Sequence, residues 1–152
     1  MQITKEYLQE IIDRDEYPCP VIVVDHDPRP YGLSGAIAAY LPMIRTIWVF
    51  TVNMNALIAY HESLGQEVTE ERLIKGLKKL MRHELRHQQQ HQWLIDKYDS
   101  VEYGTNMFIF VQRSIRYEFN PLELDAYRCQ KGFEDDLGTA MQDVFRRSIL
   151  AA

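Results

Sequence analysis

Cysteine is scarce in this chain. Cys19 and Cys129 are the only two in 152 residues, lie far apart and form no CxxC pair, so a disulfide framework and a thiolate metal site both lack material. Two reduced, buried thiols are expected. An excess of positive charge is also missing: 17 Lys and Arg against 22 Asp and Glu leave a formal charge of −5, which opposes a nucleic-acid partner. The N-terminal stretch Met1 to Ile12 is charged and amphipathic, without the apolar core and small-residue cleavage site of a secretory signal, so a cytoplasmic protein is expected. The one run poor in charge, Pro30 to Tyr60, contains Arg45. A spanning helix would hold that Arg near the bilayer centre at about 2.5–3.5 kcal/mol, beside Pro42 and before Asn53 and Asn55, so no membrane span is expected. Low-complexity segments and repeats are absent too, which removes the disordered and solenoid classes.

What remains is a chain 46% apolar and 26% charged, long enough to bury a core, read as one domain over residues 1–152. A helix over 3–15 would turn Ile3, Tyr7, Leu8, Ile11 and Ile12 inward, and Pro18 and Pro20 stop it. Val21 to Val24 is a short buried strand. Asp25-His26-Asp27 precedes two prolines and reads as a polar turn, since three adjacent residues cannot converge on one ion. Ile44 to Val52 is β-branched and aromatic on both alternating sets, a main strand covered on both faces. Asn53 or Asn55 would cap a helix that stops at Gly65, with His61 at its surface.

The organising stretch is His83-Glu84-Leu85-Arg86-His87, inside the run Thr69 to Tyr98. As one helix, this run gathers Leu73, Ile74, Leu77, Leu80, Met81, Leu85, Leu94 and Ile95 on one half and Arg72, Lys75, Lys78, Lys79, Arg82, Arg86 and Gln90 on the other. Thr69 caps it, and Glu70 and Glu71 complement the dipole of its first turn. Gly76, above His83 on the wheel, either leaves room for another group or is simply tolerated. Glu84 and His87 fall within the apolar half and His83 at its edge, where unpaired polar groups cost several kcal/mol. Histidines four apart stack about 6 Å apart along the axis, so both ring nitrogens can reach one zinc ion at about 2.0–2.1 Å, while the Glu between them addresses a bound water.

A catalytic zinc needs a third protein ligand. His91 shares the buried arc but lies about 12 Å along the axis from His83. Gln90 and Trp93 stand where a metzincin would have Gly and His, which excludes that subclass. Carboxylates arrive again in Asn120-Pro121-Leu122-Glu123-Leu124-Asp125-Ala126-Tyr127, a helix with Asn as cap and Pro at its first position, running through Leu122, Ala126, Cys129 and Phe133. On the wheel Glu123 and Asp125 flank that apolar stripe on opposite sides, and Glu at the third position after an Asn cap also fits a capping box, so geometry leaves ligand and cap open. Before this helix, 103–106 reads as a turn and Met107 to Val111 as a strand or a helix start. After it, a last helix follows Gly138 with Met141, Val144, Phe145 and Ile149 inward.

The pair of motifs, HExxH followed by Pro-x-Glu-x-Asp-Ala, resembles the gluzincin side of the HExxH zincin metallopeptidases, in particular small bacterial and phage-type members. The resemblance covers about a quarter of the chain. It implies Glu123 as the third zinc ligand, Asp125 supporting the ligands, and Glu84 as general base. It also implies a substrate strand at residues 44–52 that would pair with an extended peptide or protein substrate. Tyr127, one turn from Glu123, is a candidate to hold the oxyanion, with packing as its other role. The fold expected is α+β, a mostly helical minimal zincin-like domain with a small sheet packed on the long HExxH helix. The activity expected is a zinc-dependent peptide-bond hydrolysis; the rivals are a non-catalytic zinc-stabilised module and a zinc amidase of non-peptide substrates.

Overall fold

The computed structural model describes residues 1–33 and 35–151, without the side chains of 149–151, so the inward position expected of Ile149 lies outside the described residues. The fold is mostly helical α+β, with six helices and one three-stranded sheet among the described residues. Contacts group the chain into two compact units: Met1–Leu41 with Arg45–Lys78, and Pro42–Ile44 with Lys79–Ala152. No described helix is long and apolar enough to cross a membrane.

The first unit holds α1 (Lys5–Ile12), β1 (Val21–Val24), β2 (Ala38–Leu41), β3 (Thr46–Phe50), α2 (Thr51–Ser63) and the first turns of α3 (Glu70–Tyr98). Thr4 caps α1 by accepting from the Tyr7 N–H, and Leu8, Ile11 and Ile12 are buried, while Tyr7 is only half-buried. The sheet order is β1-β3-β2, with β1 parallel and β2 antiparallel to β3. The main strand is therefore the middle one. Both of its edges are already hydrogen-bonded, so the expectation that residues 44–52 pair with a substrate peptide is overturned: no backbone donor or acceptor row is left for a peptide to add to. The sequence pattern that suggested the strand, apolar on both faces, is what a central strand needs.

β2 escaped the sequence reading because Ala38 and Ala39 carry neither branching nor alternation. The outer edge of β1 is closed by a side chain, since the Gln9 carboxamide accepts from the Val23 N–H at 2.8 Å and donates to the Val21 carbonyl at 3.1 Å. The Asp25 to Asp27 turn is polar and locally paired, with Asp27 against Arg29, the His26 ring against Trp48, and Asp25 accepting from the Thr51 hydroxyl. Neither expected asparagine caps α2. The helix starts at Thr51 directly after β3, Asn53 donates to the Ala36 carbonyl, and Asn55 exchanges two hydrogen bonds with the backbone of Ile3. Long-range partners outcompeted the local cap. Gly65, at φ 78°, closes the helix as expected.

In the second unit Ser100, accepting from the Tyr103 N–H, starts α4 (Val101–Ser114), so residues 103–106 are helix and not a turn. Gly104 is there for closeness. A Cβ on it would stand 2.6 Å from the backbone of Ile95, which means α4 crosses α3 at a distance only glycine permits. α5 (Pro121–Gln130) begins as read, with the Asn120 side chain accepting from the Leu122 N–H and Pro121 at the first position. The same carboxamide donates to the carbonyls of Val111 and Gln112, sealing the last turn of α4 onto the first turn of α5. α5 ends at Gln130, and Gly132 at φ 95° turns the chain, so Phe133 is exposed under the Arg128 guanidinium instead of extending the buried stripe. α6 (Leu137–Ala151) is capped by Asp136 and buries Met141 and Val144, with Phe145 against Trp93.

Candidate metal centre

Within the second unit α5 lies along α3, and the two helices meet through polar side chains. α3 presents two adjacent strips at four-residue spacing, His83 with His87 and Arg86 with Gln90, and all four side chains are buried. Each flank of α5 faces one strip. Glu123 meets the histidines: its Oε2 is 2.9 Å from His83 Nε2 and its Oε1 2.9 Å from His87 Nε2. Asp125 meets the other strip, accepting from Arg86 Nε at 2.7 Å and Nη2 at 3.2 Å. The wheel that left Glu123 and Asp125 undecided had both flanks right; each carboxylate is buried, against a different partner.

The capping-box alternative for Glu123 fails on the same observation. Its carboxylate points to the imidazoles, and the Asn120 N–H is satisfied by the Tyr117 carbonyl at 3.2 Å. The expectation that Arg86 and Gln90 lie on the solvated half of α3 is also overturned, since they are 3% and 0% exposed. A paired Arg and a solvated Arg look alike in a single sequence when the partner is 39 residues away. Burial works against the Arg86 charge, but the Asp125 carboxylate more than offsets it and raises its pKa.

One ligand atom from each of His83, His87 and Glu123 lies within 4.8 Å of the others, and all three residues are buried. The chemistry of these atoms fits a cation. His87 Nδ1 is hydrogen-bonded to Gln90 Oε1 at 2.8 Å, so the ring carries its proton there, leaving a lone pair on Nε2 that faces a carboxylate oxygen. Although 2.9 Å from Glu123 Oε1, His87 Nε2 has no aligned hydrogen-bond partner among the described residues, and neither has His83 Nδ1. Two acceptors held together in a buried site repel unless a positive charge lies between them. Where that charge is a proton, it belongs to His87. Burial disfavours its imidazolium, yet the Glu123 carboxylate 2.9 Å away, with Glu84 adding to the field, outweighs burial and raises its pKa to about 9. Burial likewise opposes ionisation of Glu123, and the two histidines outweigh it, holding the carboxyl well below its ordinary value.

No protein-family model, curated protein or solved structure matches the chain. The site therefore stands on its geometry: a buried His-His-Glu group able to hold a metal ion.

Around it, Glu84 is buried, as expected of the residue between the two histidines. His91 is fully buried and bonded to the Thr105 hydroxyl at 2.7 Å, a packing histidine and not a ligand. Gly76 is exposed with nothing within 4 Å of an added Cβ, so of its two readings the tolerated helix glycine fits. Tyr127 packs its ring edge-on against His83, centroids 4.4 Å apart, and its hydroxyl lies 3.0 Å from that of Tyr117. The sequence reading missed Tyr117, which sits in a 3-10 turn over Tyr117–Phe119, and also Gln90 and Arg86. Partial desolvation, the bond to Tyr127 and the charge of Glu123 keep the Tyr117 phenol protonated far above the ordinary range, although the residue as a whole is exposed. No local signal marks Tyr117, because its neighbours come from another element.

Proposed function

We propose that the chain is a zinc-dependent metallopeptidase, and the observation that carries this is the convergence of Glu123 on His83 and His87 with Glu84 buried between the two histidines. Two imidazoles and one carboxylate are the donor set that suits a catalytic zinc, which keeps a position open beyond its three protein ligands. Zinc held there supplies a lowered pKa for bound water, toward about 7, and polarisation of a carbonyl. The remaining chemistry belongs to the chain. Glu84 takes a proton from the attacking water and returns it to the nitrogen of the leaving amine, the general acid–base role that a carboxylate at this place in HExxH can fill. Tyr117, kept protonated and bonded to Tyr127, donates a hydrogen bond to the oxygen that gains charge as the carbonyl is attacked, while Tyr127 holds the His83 ring edge-on. The resemblance of HExxH and Pro-x-Glu-x-Asp-Ala to the zincins supports the same reading, with a peptide or protein as substrate.

A second reading has its own support. All three ligands and Glu84 are less than a tenth exposed, which also suits a zinc that only stabilises an interaction module. One experiment separates the two: zinc-loaded wild type and Glu84→Gln are incubated with a fluorogenic peptide library and casein. The peptidase reading expects cleavage by the wild type and a loss of about 100-fold or more in the variant, which retains zinc. Cleavage by Glu84→Gln at the wild-type rate removes Glu84 from the mechanism, and no cleavage by either favours the module.

A further inference from the structure

A buried chain of hydrogen bonds runs from His87 away from the ligand cluster. His87 Nδ1 meets Gln90 Oε1 at 2.8 Å, and Gln90 Nε2 meets two acceptors, the Leu122 carbonyl at 3.0 Å and Asp125 Oδ2 at 2.8 Å. Asp125 is in turn held by the Arg86 fork, and Arg86 Nη2 also donates to the Asp135 carbonyl at 2.9 Å. Each step fixes the next. A carboxylate and a backbone carbonyl can only accept, so the amide nitrogen of Gln90 must face them and its oxygen must face His87. An amide oxygen can only accept, so the proton of the neutral imidazole must sit on Nδ1. The lone pair is then on Nε2, the atom 2.9 Å from Glu123 Oε1. Reversing Gln90 would set its oxygen against two acceptors in a site where it is fully buried, and that cost enforces the order.

We infer that Gln90 is a positioning residue for the metal site, with Asp125 and Arg86 behind it: the relay locks His87 in the tautomer whose Nε2 can bind a metal ion. The inference rests on the metal reading of His83, His87 and Glu123, and it assigns Asp125 a job that needs no contact with either histidine. It also makes the two ligating histidines unequal, since His83 Nδ1 has no hydrogen-bond partner among the described residues. The ring nitrogen opposite a metal usually donates to such a partner, and losing that partner typically weakens metal binding about 10–100-fold.

The test titrates wild type, Gln90→Met and Gln90→Glu with zinc against a competing chelator, and records the ring-nitrogen NMR shifts of His87 in the zinc-free wild type at alkaline pH, where its imidazole is neutral. Methionine keeps the length and apolar bulk of Gln90 and removes the acceptor, so zinc affinity is expected to fall about 10–100-fold. Glutamate keeps an acceptor for His87 and is expected to stay within several-fold of wild type, even where its lost donors lower the thermal midpoint without zinc. The spectrum is expected to show a proton on Nδ1 and none on Nε2. A purely structural Gln90 moves thermal stability in both variants and leaves both affinities at the wild-type value. That result, or a His87 protonated at Nε2, overturns the inference, and the spectrum decides it even if Gln90→Met does not fold. A wild type that takes up no zinc overturns the underlying metal reading instead.

Discussion

Glu123 occupies the third position of a helix capped by Asn120, where a glutamate ordinarily turns back on the cap, and it turns instead to two imidazoles. That choice has a measurable consequence. Glu123→Gln replaces an anionic oxygen facing a cation site and is expected to lower zinc affinity at least tens-fold in a calorimetric titration. Asp125→Asn instead breaks the buried Arg86 pair and is expected to cost about 3–5 kcal/mol of stability with or without zinc, read by chemical denaturation. If Asp125→Asn abolished zinc binding while Glu123→Gln kept it, the assignment of the third ligand would be wrong by two residues. The inward placement of the two histidines and Glu84 was legible in the sequence because their spacing sets them on the buried arc of one helix, where the histidines could share a metal ion. Glu123 was legible only through a resemblance, and Gln90, Arg86 and Tyr117 were not, because a side chain's role there depends on an element 10 to 39 residues away.

The long helix, the first strand and the cap of α5 were readable because each is specified by its own residues: periodicity over 29 positions in α3, four branched residues in β1, and Asn-Pro at the start of α5. What failed was set by neighbours. The middle place of β3 depends on β2, whose alanines carry no strand signal, and Gly104 looks like turn punctuation until α3 is packed against it. The two helix glycines therefore respond in opposite directions to the same change. Gly76→Ala adds a methyl to an exposed helix position with open space and is expected to stabilise by about 0.5–1 kcal/mol. Gly104→Ala drives a methyl into the Ile95 backbone and is expected to destabilise by about 1–3 kcal/mol despite the better helix propensity. Thermal melts of both variants check this, and a stabilised Gly104→Ala would contradict the close crossing of α3 and α4.

For the chain in solution, the site ties stability to pH, and a metal ion held there would tie it to metal as well. The His87 pKa, raised to about 9 from an ordinary 6.5, gives stability that is fully present below about 6.5 and is lost as pH rises through 9. Glu123, held below its ordinary 4.5, gives stability present above that value and lost as pH falls. With a chelator present, the contribution of this pair is therefore expected to be largest between about pH 4.5 and 6.5 and to decline toward pH 9. A zinc ion binding at this site would displace the His87 proton, so its affinity is expected to rise over the same range in which the zinc-free stability falls, with about one proton released near pH 7. A falling slope in chelated melts against a nearly flat one in zinc-saturated melts at pH 6.5, 7.5 and 9 is the signature, because the rising affinity offsets the falling zinc-free stability; parallel slopes would count against the pairing. The most direct measurement is the zinc content of the purified chain after saturation and gel filtration, in wild type and in His87→Ala. The geometry predicts one zinc per wild-type chain and well below one in the variant. A full equivalent retained by His87→Ala would contradict it.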